Sequence, residues 1–566
     1  MNCLKYIITT VKKLPNRHFW LSFLFGLASV FFIFLYHFNW SMIIPTNIHW
    51  LMQGDCATHY LGWLFFRNEV WTFPLGEIKN YIYPLGTNIG YTDSIPLLAF
   101  VFKLFSGLLP ADFQYFGLWL LSCFVLQALF GALIFKNFKC SLIVKIIGVQ
   151  FLVFSPILLF RSIHPALCAH WLILAGIYLY LSDTKPGEIK KIITYHFIIL
   201  VLALFIHPYI VIMVWLLMLA HLVKLTFFDK HIRKKINFSI ILVFSLLIIF
   251  AIWIAIGYFT LGNAYDYGAS GFGYYSFNLN GLLNSANLST FFRQLPTVYP
   301  GQLTEGFNYL GFGLIIIVLT VLLVLVYKIV IANKYLPQIQ WKRLWPLVVI
   351  NILLFVFSLS NVITVNDHVL FYYPLSDFFI VMLSPFRSSG RFFWITYYSI
   401  MIFAIFALSN QLKKRARIVA SILLVALFFQ IVDISPLLIK WKIRHQQYEM
   451  IINEAKWTEL INKFDNVVIY PAFQKNYVRD DDYMSFAYIA AKNHKTINAG
   501  YVARADRKKI DDETAKLSMK ITKAELDKDS LYITTEKYLL IFLPLLSQNK
   551  IECIHLDCFY ACNTKE

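Results

Sequence analysis

Charged residues are scarce in this sequence, and their scarcity excludes an ordinary soluble globular protein. Asp, Glu, Lys and Arg make up only 14% of the 566 residues, whereas soluble domains carry about a quarter. Hydrophobic residues make up 59%, and apolar runs of roughly 17–25 residues, long enough to cross the hydrocarbon core, recur along the chain. The short alternating segments of a transmembrane β-barrel are missing. The composition therefore predicts a polytopic α-helical membrane protein.

Paired cysteines and nucleotide-binding motifs are also missing. The eight cysteines form no CxxC pair, which argues against a zinc ribbon or a disulfide framework. Cys553, Cys558 and Cys562 are the only crowded group, and one disulfide is compatible with their spacing if that end lies in an oxidising compartment. No Walker, GxSxG or HExxH motif occurs in a supporting context. Nothing in the sequence points to nucleotide chemistry inside the cell.

Acidic residues are outnumbered, which gives a formal net charge of +19. The excess Lys and Arg residues sit in short turns between apolar runs, as the positive-inside rule requires, so we predict contact with the lipid bilayer and not with nucleic acid. Basic residues between positions 5 and 17 precede an apolar run from Phe19 to about Phe38. That run is too long for a signal peptide and lacks a small-residue cleavage site, so it is predicted to be an uncleaved first span.

The charge distribution predicts about eleven spans, with a cytoplasmic N-terminus and an outer C-terminus. The apolar segment 95–109 is short and interrupted by Lys103, so it is predicted to be interfacial or re-entrant. If this segment is not counted as a span, every strongly basic turn lies on one side of the membrane. The predicted spans lie at about 19–38, 113–135, 143–160, 166–182, 192–206, 209–227, 237–259, 310–330, 344–360, 392–409 and 417–434.

Composition divides the chain into two parts. Residues 1–435 form the predicted transmembrane domain, with outer loops at 39–112 and 260–308. Residues 436–566 are polar, and short β-like runs alternate with helical stretches there, which predicts a small soluble α/β domain. The β-like runs lie at 467–470, 496–502 and 538–543.

The first outer loop carries the strongest candidates for catalysis. Asp55 and His59 are four residues apart, so they share one face of a helix. A carboxylate near hydrocarbon has its pKa raised by desolvation, which suits a general base. The alternative is that Asp55 caps a helix beginning at Cys56. Asp93 is a second catalytic candidate, and its alternative is likewise a helix cap.

Basic side chains at outer helix ends are candidates for binding a lipid phosphate. Arg387 and Arg391 flank Ser-Ser-Gly, where guanidinium groups and exposed backbone N–H groups suit an anion. Arg161, His164 and His207 also lie beside outer turns. The alternatives are snorkelling for the arginines and structural hydrogen bonding for the histidines.

The second outer loop adds two candidates. Glu305 and Tyr309 lie at its end, and we expect them to contact the donor or the acceptor. Asp55, His59 and Glu305 are an alternative metal-binding set, but no spacing requires it.

The sequence resembles the type-C glycosyltransferase superfamily (GT-C). The resemblance rests on GDCATHY around Asp55, on YTDSIPLLAF, on SPILLFRSIHP and on the layout across about 19–434. More closely, GD…HYLGW, YTDSIPLLA, HPY and FRSSGRFFW resemble an uncharacterised family of bacterial polytopic inner-membrane proteins. The C-terminal domain would then be periplasmic.

This resemblance implies a sugar donor linked to polyprenyl phosphate. Asp55 would deprotonate a hydroxyl of a lipid, polysaccharide or protein acceptor, with inversion at the sugar carbon. Arg387 and Arg391, with Arg161 and His164, would stabilise the departing phosphate. No cofactor is expected, because the paired carboxylates that bind metal in some relatives are absent from the second outer loop.

Two other functions fit the same layout. A lipid-linked glycan flippase or transporter would show inverted repeats and midplane charges, whereas the polar residues here gather at one face. A membrane acyltransferase would depend on an interfacial histidine, such as His164 or His207.

Overall fold

The computed structural model describes residues 17–232, 235–260, 271–331, 341–444, 450–472 and 482–565. The basic N-terminal residues and part of outer loop 260–308 lie outside these ranges. Within them, eight helices are long and apolar enough to cross a membrane, which is the pattern of a multi-pass membrane protein. These helices are Arg17–Tyr36, Phe116–Lys136, Leu142–Arg161, Pro208–Phe228, Ile236–Ile256, Phe312–Val330, Ser389–Gln411 and Ala416–Asp433.

The other three predicted spans are also helical. Two of them form the short helices His170–Leu181 and Ile189–Leu204, and the third contains the apolar helix Arg343–Leu359. The predicted interfacial segment forms Pro96–Lys103, eight residues or about 12 Å of helix, which is too short to cross. Helix length alone supports eight crossings, and the eleven-span arrangement stays a prediction.

The α-helices of residues 17–444 are, in chain order, α1 (Arg17–Tyr36), α2 (Gly54–Asn68), α3 (Pro96–Lys103), α4 (Phe116–Lys136), α5 (Leu142–Val153), α6 (Pro156–Arg161), α7 (His170–Leu181), α8 (Ile189–Leu204), α9 (Pro208–Val223), α10 (Lys235–Ile256), α11 (Phe312–Val326), α12 (Trp341–Leu359), α13 (Asp377–Leu383), α14 (Trp394–Gln411), α15 (Ala416–Asp433) and α16 (Ser435–Arg444). Two antiparallel hairpins lie between them, β1–β2 (Glu77–Ile78 and Thr87–Asn88) and β3–β4 (Val362–Val365 and His368–Tyr372).

Small residues let the long helices approach closely. Helix α1 packs against α4 and α5, and α11 packs against α15. A Cβ added at Gly26 would lie 2.8 Å from Val149 and 2.9 Å from Ala128, and one at Gly313 would lie 2.0 Å from the Ala426 carbonyl. Close backbone approach at small residues is how membrane helices gain van der Waals contact where lipid is as apolar as the side chains.

The first predicted outer loop, residues 39–112, is a packed structure. Arg67 on α2 donates to the Ser106 side chain and to the carbonyls of Ser106, Leu109, Pro110 and Ala111. The turn before α3 lies directly on α2, because a Cβ added at Gly62 would lie 2.2 Å from the Thr92 hydroxyl oxygen. These contacts fix the positions of the loop residues that enter the candidate site.

The C-terminal part is an α/β domain with a mixed sheet in the order β6-β5-β7-β9-β8. Strand β5 is parallel to β6 and β7, whereas β9 is antiparallel to β7 and β8. The strands are β5 (Asn466–Tyr470), β6 (Thr496–Ile497), β7 (Ser530–Thr534), β8 (Ile551–Leu556) and β9 (Phe559–Thr564), and the helices are α17 (Glu454–Ile461), α18 (Asp482–Lys492), α19 (Arg507–Lys523), α20 (Glu536–Leu539) and α21 (Leu543–Ser547).

Two of the three predicted β-like runs need correction. The run at 467–470 is β5, but only the first two residues of 496–502 form a strand, β6. The prediction of a strand at 538–543 is wrong, because helices α20 and α21 occupy that region. Phe542 packs beside Tyr470 and Tyr532 on one face of the sheet. A short apolar run fits a buried helical turn as well as a strand, and periodicity cannot separate the two.

The C-terminal domain packs against the first outer loop. The Tyr488 hydroxyl donates to Asp112 at 2.6 Å, and the Asn68 amide donates to the Ala491 carbonyl at 2.8 Å. The backbone N–H of Ala503 donates to the Tyr91 carbonyl at 2.8 Å. One buried apolar cluster continues from the membrane helices into the α/β domain. The domain is therefore part of the wall around the space between the loops.

The Gly62 contact gives a test of this packing. We expect Gly62→Ala to destabilise the protein by about 1–3 kcal/mol, because the added methyl group pushes the Thr92 turn away from α2. The matched control is Gly107→Ala, since nothing lies within 4 Å of that Cβ. Thermal unfolding of both variants in detergent is the measurement. Equal melting temperatures would contradict the close approach.

The crowded cysteines give a second test. Cys553 and Cys562 form a disulfide between β8 and β9, and Cys558 is free. We expect two further cysteines to react with a maleimide–polyethylene glycol after reduction of the denatured, membrane-extracted protein. The Cys553→Ser variant should leave Cys562 reactive without reduction. Identical labelling before and after reduction in the wild type would contradict the disulfide.

Candidate functional site

A cavity of about 660 Å³ lies where the outer loops, several helix ends and the C-terminal domain meet. Most of the residues predicted from the sequence share its wall. Tyrosine side chains supply much of the remaining lining, including Tyr91, Tyr258, Tyr275 and Tyr501. The predicted residues in the wall are Asp55, His59, Asp93, His164, His207, Glu305, Arg387 and Arg391.

Two predicted residues do not line this cavity. Arg161 is 2% exposed and lies behind the wall, where it contacts Glu305. Tyr309 is also buried, and its hydroxyl donates to Asp433 at 2.7 Å. The same Asp433 carboxylate accepts the backbone N–H of Phe312 at the start of α11. Tyr309 therefore holds the junction of α11 and α15 and does not line the cavity.

Asp55 lies in the first turn of α2 and faces the cavity. The helix begins at Gly54 with Gln53 in the capping position, so the alternative that Asp55 caps a helix beginning at Cys56 is wrong. Its side chain is exposed, and no hydrogen bond or ion pair within the described ranges engages the carboxylate. A helix N-terminus favours a negative charge there. Asp55 is therefore available to a ligand.

Asp93 lies between two histidines. His164 Nε2 is 3.3 Å from Asp93 Oδ2, and His207 Nε2 is 3.6 Å from Asp93 Oδ1. Helix α3 begins at Pro96 after Ile95, so Asp93 does not cap it, and its φ of 54° is left-handed. Burial alone would raise the pKa of Asp93, but the neighbouring His164, His207 and His59 hold it well below its usual range. Asp93 is ionised.

The histidines around Asp93 are buried. Burial lowers the pKa of His207 to about 3, although Asp93 opposes the effect. Burial likewise lowers the pKa of His59, and His164 adds to this. The rings of His59 and His164 lie 4.5 Å apart between centroids. His59 and His207 are therefore neutral at pH 7.

Glu305 is held by two arginines. Arg161 Nη1 donates to both carboxylate oxygens at 2.9 Å, and Arg391 Nε donates to Oε2. Arg391 also lies over the Tyr209 ring, 4.6 Å from its centroid. Burial alone would raise the pKa of Glu305, but Arg161 and Arg391 hold it well below its usual range. We name these three residues the Glu305 ion cluster.

Two guanidinium groups in the wall have no carboxylate partner among the described residues. Arg387 lies over Tyr275, 5.8 Å from the ring centroid. Arg504 donates to the carbonyls of Pro385 at 2.7 Å and Ala503 at 2.6 Å. Both arginines line the cavity. They are guanidinium groups of the wall that, within the described ranges, remain free to pair with a ligand of opposite charge.

Sequence reasoning named no residue of the C-terminal domain as part of the site, although it placed that domain beside the outer loops. Tyr501 and Arg504 follow β6 and reach the cavity only because that domain docks on the loops. Tyr501 is within electrostatic range of both Asp55 and Arg387. The segment GYVARADR carries no motif that marks a site. Its place in the cavity wall is evident only from the structure, in which it lies beside Pro385.

The Glu305 ion cluster gives a pH-dependent test. We expect Glu305→Gln to destabilise the protein by about 3–5 kcal/mol at pH 7, because two buried guanidinium groups lose their carboxylate. Because the pKa of Glu305 is lower in the folded state than its ordinary value of 4.5, the ionised carboxylate stabilises the fold above about pH 4.5. This stabilisation is lost as the pH falls through the lower pKa of the folded state. The difference from the wild type should therefore shrink below about pH 4.5.

The control for this test is Glu459→Gln, since Glu459 is 81% exposed in a 4.0 Å ion pair with Lys463 and such pairs contribute little. Melting temperatures in detergent at pH 7 and at acidic pH are compared. A difference between wild type and Glu305→Gln that stays constant with pH would contradict the ionised cluster.

Two family models together match nearly the whole chain. Residues 25–435 match the domain of unknown function DUF6311, and residues 456–564 match the DUF6311 C-terminal domain. No curated protein matches the chain. The first match alone spans more than half of the sequence. The chain therefore belongs to the DUF6311 family.

Proposed function

We propose that this protein is a membrane glycosyltransferase that moves a sugar from a polyprenyl-phosphate-linked donor to an acceptor hydroxyl. One observation carries the proposal. The unengaged carboxylate of Asp55 faces the same cavity as Arg387 and Arg504, which have no carboxylate partner among the described residues. A base and an anion-binding pair in one cavity are what displacement at a sugar phosphate requires.

In the proposed reaction, Asp55 accepts the proton of the acceptor hydroxyl. The acceptor oxygen forms a bond to the anomeric carbon as the bond from that carbon to the phosphate oxygen breaks. The electron pair leaves with the polyprenyl phosphate, whose developing charge is stabilised by Arg387 and Arg504. A single displacement inverts the configuration at the anomeric carbon. No cofactor takes part in these steps.

The cavity's apolar side supports a lipid-linked donor. Trp253 on α10 and Phe259 just after that helix line the cavity. Helix α10 itself exposes apolar side chains, with Ile240 57% and Leu247 61% exposed, which is what a lipid-facing helix presents. A polyprenyl chain lying along α10 would place its phosphate near the arginines.

The proposed topology has eleven spans in a bacterial inner membrane. The N-terminus is cytoplasmic, and the cavity and the C-terminal domain are periplasmic. The charge distribution supports this arrangement, because it gathers the strongly basic turns on one side. The Cys553–Cys562 disulfide also fits an oxidising compartment. The acceptor is a lipid, polysaccharide or protein of the cell envelope.

The test is glycan and glycolipid profiling of cells that carry Asp55→Asn, at membrane abundance matched to the wild type. We expect one sugar to disappear from an envelope component while its polyprenyl-phosphate donor accumulates, because the acceptor is no longer deprotonated. The matched control is Asp367→Asn, whose side chain is 61% exposed on the β3–β4 hairpin and should leave the profile unchanged.

Two outcomes would contradict the proposal. An unchanged profile in Asp55→Asn would favour the transporter alternative. Loss of an acyl group instead of a sugar, with dependence on His164 and not on Asp55, would favour the acyltransferase alternative.

A further inference from the structure

Three side chains with metal-binding atoms meet in the cavity wall, and the proposed sugar transfer uses none of them. His59 comes from α2, Asp93 from the turn before α3, and His164 from the turn after α6. One ligand atom from each lies within 4.8 Å of the others. Imidazole nitrogens with a carboxylate oxygen are the ligands preferred by zinc and similar transition ions, whereas Mg²⁺ and Ca²⁺ prefer oxygen alone.

One pair of these atoms already has the spacing found around a bound ion. His164 Nε2 and Asp93 Oδ2 are 3.3 Å apart. Two ligands at about 2.0–2.1 Å from a tetrahedral ion lie roughly 3.3–3.4 Å from each other. An ion could therefore enter between them with little movement of either side chain.

Unpartnered nitrogens point independently to a ligand. The Nδ1 atoms of His59 and His164 are buried, and neither has a hydrogen-bond partner among the described residues. The whole His59 residue is only 1% exposed. Buried polar atoms without partners are rare and costly in native proteins. Coordination would give the His59 ring a partner that the protein itself does not supply.

The surrounding contacts hold the three residues in place. The Ser94 hydroxyl donates to the His59 carbonyl at 2.6 Å, and the Tyr115 hydroxyl donates to the Ser94 carbonyl. The turn carrying Asp93 thus stays attached to α2. Such preorganisation is typical of a binding site built on rigid elements.

His207 has the contacts of a residue that orients Asp93. Its Nδ1 accepts the backbone N–H of Tyr209 at 3.2 Å, so in the neutral ring the proton lies on Nε2. That Nε2 faces Asp93 Oδ1 at 3.6 Å. An N–H directed at a ligating carboxylate is the usual outer partner of a metal site.

We propose that His59, Asp93 and His164 bind one divalent transition ion of the zinc class, with His207 orienting Asp93. The three residues all line the cavity, so the ion's open coordination position faces the space shared with Asp55. Three protein ligands and one open position are the arrangement of catalytic zinc sites.

The first experiment uses the full-length wild-type protein without a histidine tag. The protein is treated with a chelator in detergent, and Zn²⁺ or Co²⁺ is titrated by calorimetry. We expect one ion per chain, with a dissociation constant in the micromolar range or tighter. X-ray absorption at the zinc edge should show two imidazole ligands and oxygen at about 2.0–2.1 Å. Neither measurement requires turnover, so the result is independent of the proposed sugar transfer.

The second experiment compares variants with a matched control. Asp93→Asn and His164→Gln should each weaken Zn²⁺ binding by at least about 100-fold, and His207→Gln by about 10–100-fold. The control is His368→Gln, since His368 is 77% exposed on the β3–β4 hairpin and should bind Zn²⁺ like the wild type. Each variant is first checked for an unchanged elution volume in gel filtration.

Three results would overturn the proposal. The first is the absence of stoichiometric Zn²⁺ or Co²⁺ binding by the wild type. The second is equal affinity in Asp93→Asn and the wild type, which would mean that any bound ion lies elsewhere. The third is a site that prefers Mg²⁺ or Ca²⁺ over Zn²⁺.

Discussion

The carboxylate of Glu305 neutralises one of the two guanidinium groups buried beside it. The positions of the chain segments around the cavity depend on this Glu305 ion cluster. Arg161 at the end of α6, Glu305 before α11 and Arg391 before α14 come from three distant parts of the chain. Removing a charge from water costs several kcal/mol, which only close opposite charges and hydrogen bonds offset. The three segments are therefore held at one relative position. The cluster keeps a net positive charge, and Arg387 and Arg504 add two further positive charges to the same wall.

The cavity is incomplete without the C-terminal domain. Tyr501 and Arg504 form part of its wall, and the hydrogen bonds of Tyr488 and Ala503 to the first outer loop keep that wall in place. Arg504 itself binds the Pro385 carbonyl, so the domain contacts the segment that presents Arg387. The family's two matched regions thus contribute side chains to one site. A deletion of the C-terminal domain would remove Tyr501 and Arg504 from the cavity wall.

The carboxylates of the site differ in their surroundings, and their proposed roles follow from this. Glu305 is occupied by arginines and Asp93 by histidines, whereas Asp55 is exposed in the first turn of α2. An occupied carboxylate with a depressed pKa is a poor base, and it is well suited to hold a cation or a metal ion. Asp55 is left as the base of the proposed reaction. The proposed ion would lie on the same side of α2, because His59 follows Asp55 by one helical turn.

The sequence by itself determined the properties that depend on neighbouring residues. Run length and hydropathy identify membrane-crossing helices, and helical periodicity places Asp55 and His59 on one face. The close spacing of Cys553 and Cys562 in the sequence was compatible with the disulfide that joins them in the structure. Only the tertiary structure decided which charges are paired. Arg161 pairs with Glu305, which lies 144 positions away in the sequence, and Arg504 enters the site because the C-terminal domain docks on the loops. No local sequence pattern encodes contacts between residues so far apart. The same reason explains the error at 538–543, where packing against the sheet and not periodicity selected helix over strand.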